Sequence, residues 1–234
     1  MRVVQILLVA SYWLSACAME PDAEASRASP ADQILDAAAR VTGAAEYAEQ
    51  LHVLAEATVT GPGDSFRTLI HSSSDGRVRM EQTPFGFLAG VGEAGGWLQD
   101  PATGEVGELG GAASFVLGHE LHMLALHPLS RLSSPRIAVP SAEDPAGALG
   151  ITFSLPSEDS LVVYYSAADT IPIGLRVAYT DPNVVVSWSD WVERRGLQLF
   201  GEALFRQGQD VFSYTYDRVE VGTLPDSIFE PPGS

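Results

Sequence analysis

From Leu51 onward, apolar and polar residues alternate with a period of two in one short run after another, with turn residues between the runs. "HVLAEATVTG" puts Val53, Ala55, Ala57 and Val59 on one side of a strand, and "PGD" makes a tight connection. "SFRTLIHS" and "GRVRMEQT" continue the alternation across the turn "SSDG". A glycine-rich patch, "FGFLAGVGEAGGW", leads into "WLQDPATGEVGEL", which reads as a strand, a turn at Pro101 to Gly104 and a second strand. After a proline-rich loop come "LGITFSLP", "SLVVYYSA", "PIGLRVAY", "NVVVSWSDWV", "LQLFGEALF" and "VFSYTYDRVEV". Two stretches depart from this period. "PADQILDAAARVTGAAEYAEQL" carries Ile34, Leu35, Ala38 and Val41 at helical spacing, with Asp32 as a cap, Gly43 as a stop and a short turn around Tyr47. A second helix is expected over Gly111 to Leu126. The pattern predicts an antiparallel meander of about ten strands with two helical insertions, and it lacks the strand-helix alternation of a parallel α/β sheet. A sheet that long must curl or close to bury one face and protect its edges.

The N-terminus follows other rules. Arg2 is a short positive region, Val3 to Leu14 is largely apolar, and "LSAC" ends at Cys17. The run is too short for a stable transmembrane helix but suits a secretory signal over residues 1–16. "LSAC" resembles a bacterial lipobox, which makes Cys17 the lipid attachment site and the first mature residue. Cys17 is also the single cysteine, so the chain forms no internal disulfide. Multiple acyl chains on it give stable membrane attachment where one chain is marginal. An aspartate after such a cysteine often marks inner-membrane retention. Ala18 stands there, which favours the periplasmic face of an outer membrane. Residues 17–31 are small, polar and proline-bearing and read as a flexible tether to a single domain over 32–234.

Charge removes several classes of partner. The chain has no lysine and a formal charge of −17; losing Arg2 with the signal makes this −18. Such a protein lacks the basic footprint that nucleic acids require and is repelled by anionic lipid. A monomer held at the membrane through Cys17 is the expected arrangement.

"GHELHMLALHPL" is the strongest candidate for metal chemistry. A zincin helix needs histidines four apart, whereas His119 and His122 are three apart and Met123 occupies the fourth position. At about 100° per residue, His127 is turned roughly 140° from His122. Leu117, Leu121 and Leu124 make the stronger stripe, on the other side of the helix, so the segment reads as a packed lid and no metal is expected. His52 and His71 fall on strands. "GDSF" at Gly63 to Phe66 lacks the strand-turn-helix setting of an esterase nucleophile and reads as a turn. No phosphate cradle or paired zinc cysteines appear, so neither catalysis nor a cofactor is expected.

Three segments carry a family likeness: "ARVTGAAEYAEQLHVLAEATVTGPG", "RVRMEQTPFGFLAGVGEAGGWLQDPATGEVGEL" and the closing "SDWVERRGLQLFGEALF…VFSYTYDRVEVGTLPDSIFEPP". In order and pattern the chain resembles the outer-membrane lipoprotein carriers and receptors of the LolA/LolB-like family. The likeness rests on pattern and on no invariant catalytic motif. It implies a mainly β protein with a strongly curved antiparallel sheet, an incomplete barrel covered by an N-terminal helix and a mid-chain helix. In the carriers the enclosed apolar cavity receives acyl chains. Candidate cavity residues are Phe66, Trp97, Phe153, Tyr164, Trp188, Phe200 and Phe212 from the strands, with Leu121 and Leu124 from the lid. The expected ligand is hydrophobic, an acyl chain or a lipoprotein. The rival expectations are a solidly packed structural or sensory module and, third, a hydrolase built on His119, Glu120, His122 and His127.

Overall fold

The computed structural model describes residues 28–47, 52–73, 75–109, 133–142, 144–154, 160–178 and 183–233. The expected signal, Cys17, most of the tether and the mid-chain histidine helix lie outside them, as do Leu121 and Leu124.

Helix α1 spans Pro30–Val41. Its cap is Ser29, not Asp32: the Ser29 hydroxyl accepts from the Asp32 amide (3.1 Å) and the Asp32 carboxylate accepts from the Ser29 amide (3.0 Å). This reciprocal pair satisfies two amide donors at the helix start, and Pro30 fits the first turn because it has no N–H to leave unpaired. Arg40 in the last turn complements the negative helix end. A 3-10 turn, Ala44–Tyr47, follows, as the sequence predicts.

Among the described residues thirteen strands follow: β1 His52–Thr60, β2 Ser65–Ser73, β3 Val78–Thr83, β4 Phe87–Gly92, β5 Gly95–Gln99, β6 Val106–Glu108, β7 Ser133–Ile137, β8 Ala148–Ser154, β9 Ser160–Ser166, β10 Pro172–Ala178, β11 Val184–Arg194, β12 Leu197–Gln207 and β13 Asp210–Gly222. Two were not foreseen. β4 lies in the glycine-rich patch, and β7 lies in the proline-rich loop, where an edge strand tolerates Pro135. All thirteen form one antiparallel sheet in the order β6-β5-β4-β3-β2-β1-β13-β12-β11-β10-β9-β8-β7. The first strand therefore pairs with the last at the middle of the sheet, and β6 and β7 are its two outermost strands among the described residues.

Flat, thirteen strands would be about 60 Å wide at about 4.8 Å each. A twelve-residue helix is only about 18 Å long and covers a few of them. Yet one face is buried on both halves, from Ile70 and Val78 on β2 and β3 to Ile151 and Phe153 on β8. The sheet is a curled, unclosed layer, an incomplete barrel with α1 on its inner side through Ala31, Ile34, Leu35 and Ala38.

Candidate functional site

The inner face is assembled by register. Phe66, Val59, Tyr214, Ala203 and Trp188 stand side by side across β2, β1, β13, β12 and β11. Thr68, Ala57 and Tyr216 make the neighbouring row. Between Glu56 and Ala57 a β-bulge inserts Asp217 into β13, which keeps Val219 and Val221 on the same side as Tyr214 and Tyr216. Alanines 55 and 57 on the central strand leave room for the rings beside them.

Those rings form a continuous wall. Phe200 packs edge-on against Tyr216 (5.1 Å between centroids) and Trp191 (5.6 Å) and tilts over Trp188 (6.0 Å), while Tyr214 stacks on Tyr216 at 6.3 Å. Burial pushes the Tyr214 phenol up to about 12 and Tyr216 further, so both stay neutral at any physiological pH. Two polar groups in this wall lack hydrogen-bond partners: the Trp188 Nε1–H and the Thr68 hydroxyl, on side chains that are 4% and 2% exposed.

Beside the wall, two strands part. β12 and β13 pair only from Gln207↔Asp210 to Glu202↔Thr215. Beyond that point the Gln198 amide donates to the Thr42 carbonyl at the end of α1 (2.9 Å), and Arg195 reaches across to the Val221 carbonyl (2.9 Å). The tip of the β11–β12 hairpin is thus tied to β13. Between the parted strands lies an open cleft of about 330 Å³ with Leu199, Phe200 and Tyr216 at its base and Asp190, Arg194 and Arg218 at its rim.

Five predicted cavity residues lie on the inner face. Phe153, Trp188 and Phe200 are buried in its core, with Phe66 and Phe212 partly buried against it. Two do not. Trp97 pairs with Gly90, whereas its neighbour Gly96 pairs with the inward Val91, so Trp97 points to the outer face. There its Nε1–H donates to the Phe229 carbonyl at 2.9 Å. Tyr164 alternates with the inward Val163 and Tyr165 and faces outward too. Its hydroxyl donates to Asp144 (2.7 Å) and accepts from Arg176 (3.2 Å). The bond from Tyr164 holds the Asp144 carboxyl below its usual range.

The outer face carries a C-terminal strap that sequence reasoning missed. A 3-10 turn, Asp226–Phe229, crosses β3 and β4, with Phe229 fully buried. Leu224 N–H donates to His52 Nδ1 (2.8 Å), Arg77 pairs with Asp226 (2.8 Å) and lies over the Phe229 ring, and Arg79 donates to the Ile228 carbonyl (3.3 Å). His71 lies on this outer side opposite Leu54 and Arg79, with Nδ1 unpartnered; burial lowers its pKa, with Glu81 opposing and Arg79 assisting.

Chemical centres are scarce in what is described. Among the described residues no three His, Cys, Asp or Glu side chains could hold a metal ion, and no helix is long and apolar enough to cross a membrane. Ser65 opens β2 beside Thr60, in a strand and not at a nucleophile elbow.

An unclosed antiparallel sheet wrapped round an apolar face and backed by an N-terminal helix defines a class, and the class is LolA-like by fold. A LolA superfamily protein of Nitrosomonas europaea superposes with a TM-score of 0.59 at 12% identity, over 86% of this chain and 97% of that one. A DUF1329 family protein of Desulfovibrio piger gives 0.57 at 13%, with the same coverage. No protein-family model matches the sequence, and no curated protein matches it.

Proposed function

We propose that this chain is a lipid-anchored binding protein that takes a hydrophobic ligand, an acyl chain or the acylated end of a lipoprotein, against the inner face of its sheet. The observation that carries this reading is the aromatic wall of Trp188, Phe200, Tyr214 and Tyr216, flanked by Phe66, Phe205 and Phe212, which are only partly buried. An apolar surface that stays incompletely covered by its own chain is a place for a ligand. Each buried methylene contributes about 0.8 kcal/mol, so a long chain supplies ample binding energy. Likeness of fold to the LolA superfamily supports the same reading. Its role is binding without catalysis, as a monomer held through acylated Cys17 on the periplasmic face of the outer membrane, in lipoprotein sorting or envelope sensing.

The domain from residue 28 onward, delipidated and titrated with a fluorescent fatty acid and with its methyl ester, is expected to bind saturably and to release either probe to excess unlabelled ligand. No saturable binding of either probe refutes the reading. One observation favours a second reading, a solidly packed interaction module. Val53, Ala55, Ala57 and Val59 on the central strand are all fully buried within the chain itself. That module predicts failure of both titrations together with a cationic partner recovered by crosslinking.

A further inference from the structure

Past Glu202↔Thr215, residues 197–201 of β12 and 216–222 of β13 remain strands but no longer pair with each other. Each keeps its other neighbour, β11 or β1. Backbone N–H and C=O groups need partners, and alternate residues of a strand direct theirs to opposite sides. Both stretches therefore turn main-chain groups toward the cleft. The parting has a local cause. Asp190 on β11 has a φ of +57°, and its pairing with Gly201 is absent from a register that otherwise runs from Val184↔Gln207 to Arg194↔Leu197. A Cβ on Gly201 would lie 2.5 Å from the Asp190 carboxylate. Left-handed backbone at a non-glycine residue inside a strand is strained, and here it bends β11 and β12 where β13 is left behind. The bonds from Gln198 to Thr42 and from Arg195 to Val221 tie down the far end.

Between these edges lies the cleft of about 330 Å³, floored by Leu199, Phe200 and Tyr216. Residues 197–201 extend over about 16 Å, the length of one short strand. An extended peptide can meet main-chain groups on both sides of such a gap while alternate side chains reach the apolar floor. Charge selects the peptide. Asp190, Asp217 and Glu220 line the cleft with Arg194 and Arg218. Arg218 is already held by Glu56 (3.0 Å) and Glu220 (2.8 Å). The Asp190 carboxylate, at the end where the strands part, has no ion pair or hydrogen bond among the described residues. The whole chain, at −17 with no lysine, attracts cations and repels anions. We propose that the β12–β13 cleft docks an extended basic segment of a partner protein, inserted as an added strand. Its apolar side chains lie on Phe200 and Tyr216, and a lysine or arginine meets Asp190. This stands apart from the inner-face reading above, whose failure leaves it intact.

The test titrates three fluorescein-labelled peptides of equal length onto the purified full-length protein. One alternates leucine and lysine, one alternates leucine and glutamate, and the third is the leucine–lysine peptide N-methylated at every second residue. Methylation keeps every charge and side chain but removes the donors along one edge, so it separates strand pairing from bulk charge attraction. The unmethylated leucine–lysine peptide is expected to bind saturably and about tenfold more tightly than either of the others. Its binding is expected to slow hydrogen exchange in residues 197–201 and 216–222. Asp190→Asn, which left-handed backbone tolerates, is expected to weaken that peptide about threefold with no change in melting temperature. Equal binding of the methylated peptide, equal binding of the glutamate peptide, slowed exchange confined to other strands, or an unweakened Asp190→Asn protein each overturns the proposal. Failure of all three peptides to bind overturns it as well.

Discussion

Single side chains in this protein act through what they lack as much as through what they touch. Thr68 buries a hydroxyl with no partner, and such a group costs about 1–3 kcal/mol. Thr68→Val is expected to raise the stability of the ligand-free domain by about 1 kcal/mol in urea unfolding; unchanged or lower stability would show that the hydroxyl is already satisfied. His71 works in the opposite sense. Its folded-state pKa is depressed by burial below the ordinary 6.5, so the folded protein favours the neutral ring. The stability this contributes is fully present above about pH 6.5 and is lost as pH falls below it, because the unfolded chain then binds the proton first. Thermal melting between pH 7 and pH 5 is expected to show a smaller acid-side drop for His71→Leu than for the wild type. Residue patterns also decide what the sequence could reveal. Phe66 and Trp188 are legible as inward because polar neighbours fix the phase. Tyr164 lies in five consecutive buried residues, Leu161 to Tyr165, where alternation has no phase to read. Trp97 stands between Gly96 and Leu98, and only the strap reveals that the face it occupies is also covered.

At the scale of elements, the ends of strands and helices hold the architecture in place. Gly43, just past the α1 C-cap, has a φ of +75° and lies where a Cβ would run into the Gly196 carbonyl. Both features demand glycine. Gly43→Ala is expected to cost about 3 kcal/mol or more, seen as a large fall in melting temperature, because α1 and the β11–β12 turn cannot separate without breaking the Gln198–Thr42 bond. The helix and most strands were legible because period and turn residues agreed. β4 was not, because Gly90 mimics a loop composition while serving a close approach: a Cβ there would strike the Trp97 ring. The strap is too short to show a period, yet Phe229 is its anchor. Phe229→Ala is expected to destabilise the domain by about 3–5 kcal/mol in denaturant unfolding and to expose Trp97 to quenchers.

For the whole molecule, the proposed ligand and the fold share one surface, so occupancy would register as stability. A ligand at about one hundred times its dissociation constant adds about 2.7 kcal/mol if it ignores the unfolded chain. A long-chain fatty acid is expected to raise the melting temperature in proportion to the logarithm of its concentration, and a flat response would separate the ligand from the inner face. The curled sheet was foreseeable from the number of alternating runs. The meeting of its first and last strands was not, because local patterns carry no record of which distant edges join.

That central seam ties the timing of folding to the direction of synthesis. With β1 paired to β13, a strand made early waits for one made last, and its edge stays open until nearly the whole chain is available. A ribosome-bound chain therefore presents an adhesive β1, and removal of the final strand should leave an insoluble product, not a smaller working domain. Were the chain exported as proposed above, that delay would keep it threadable until β13 had passed.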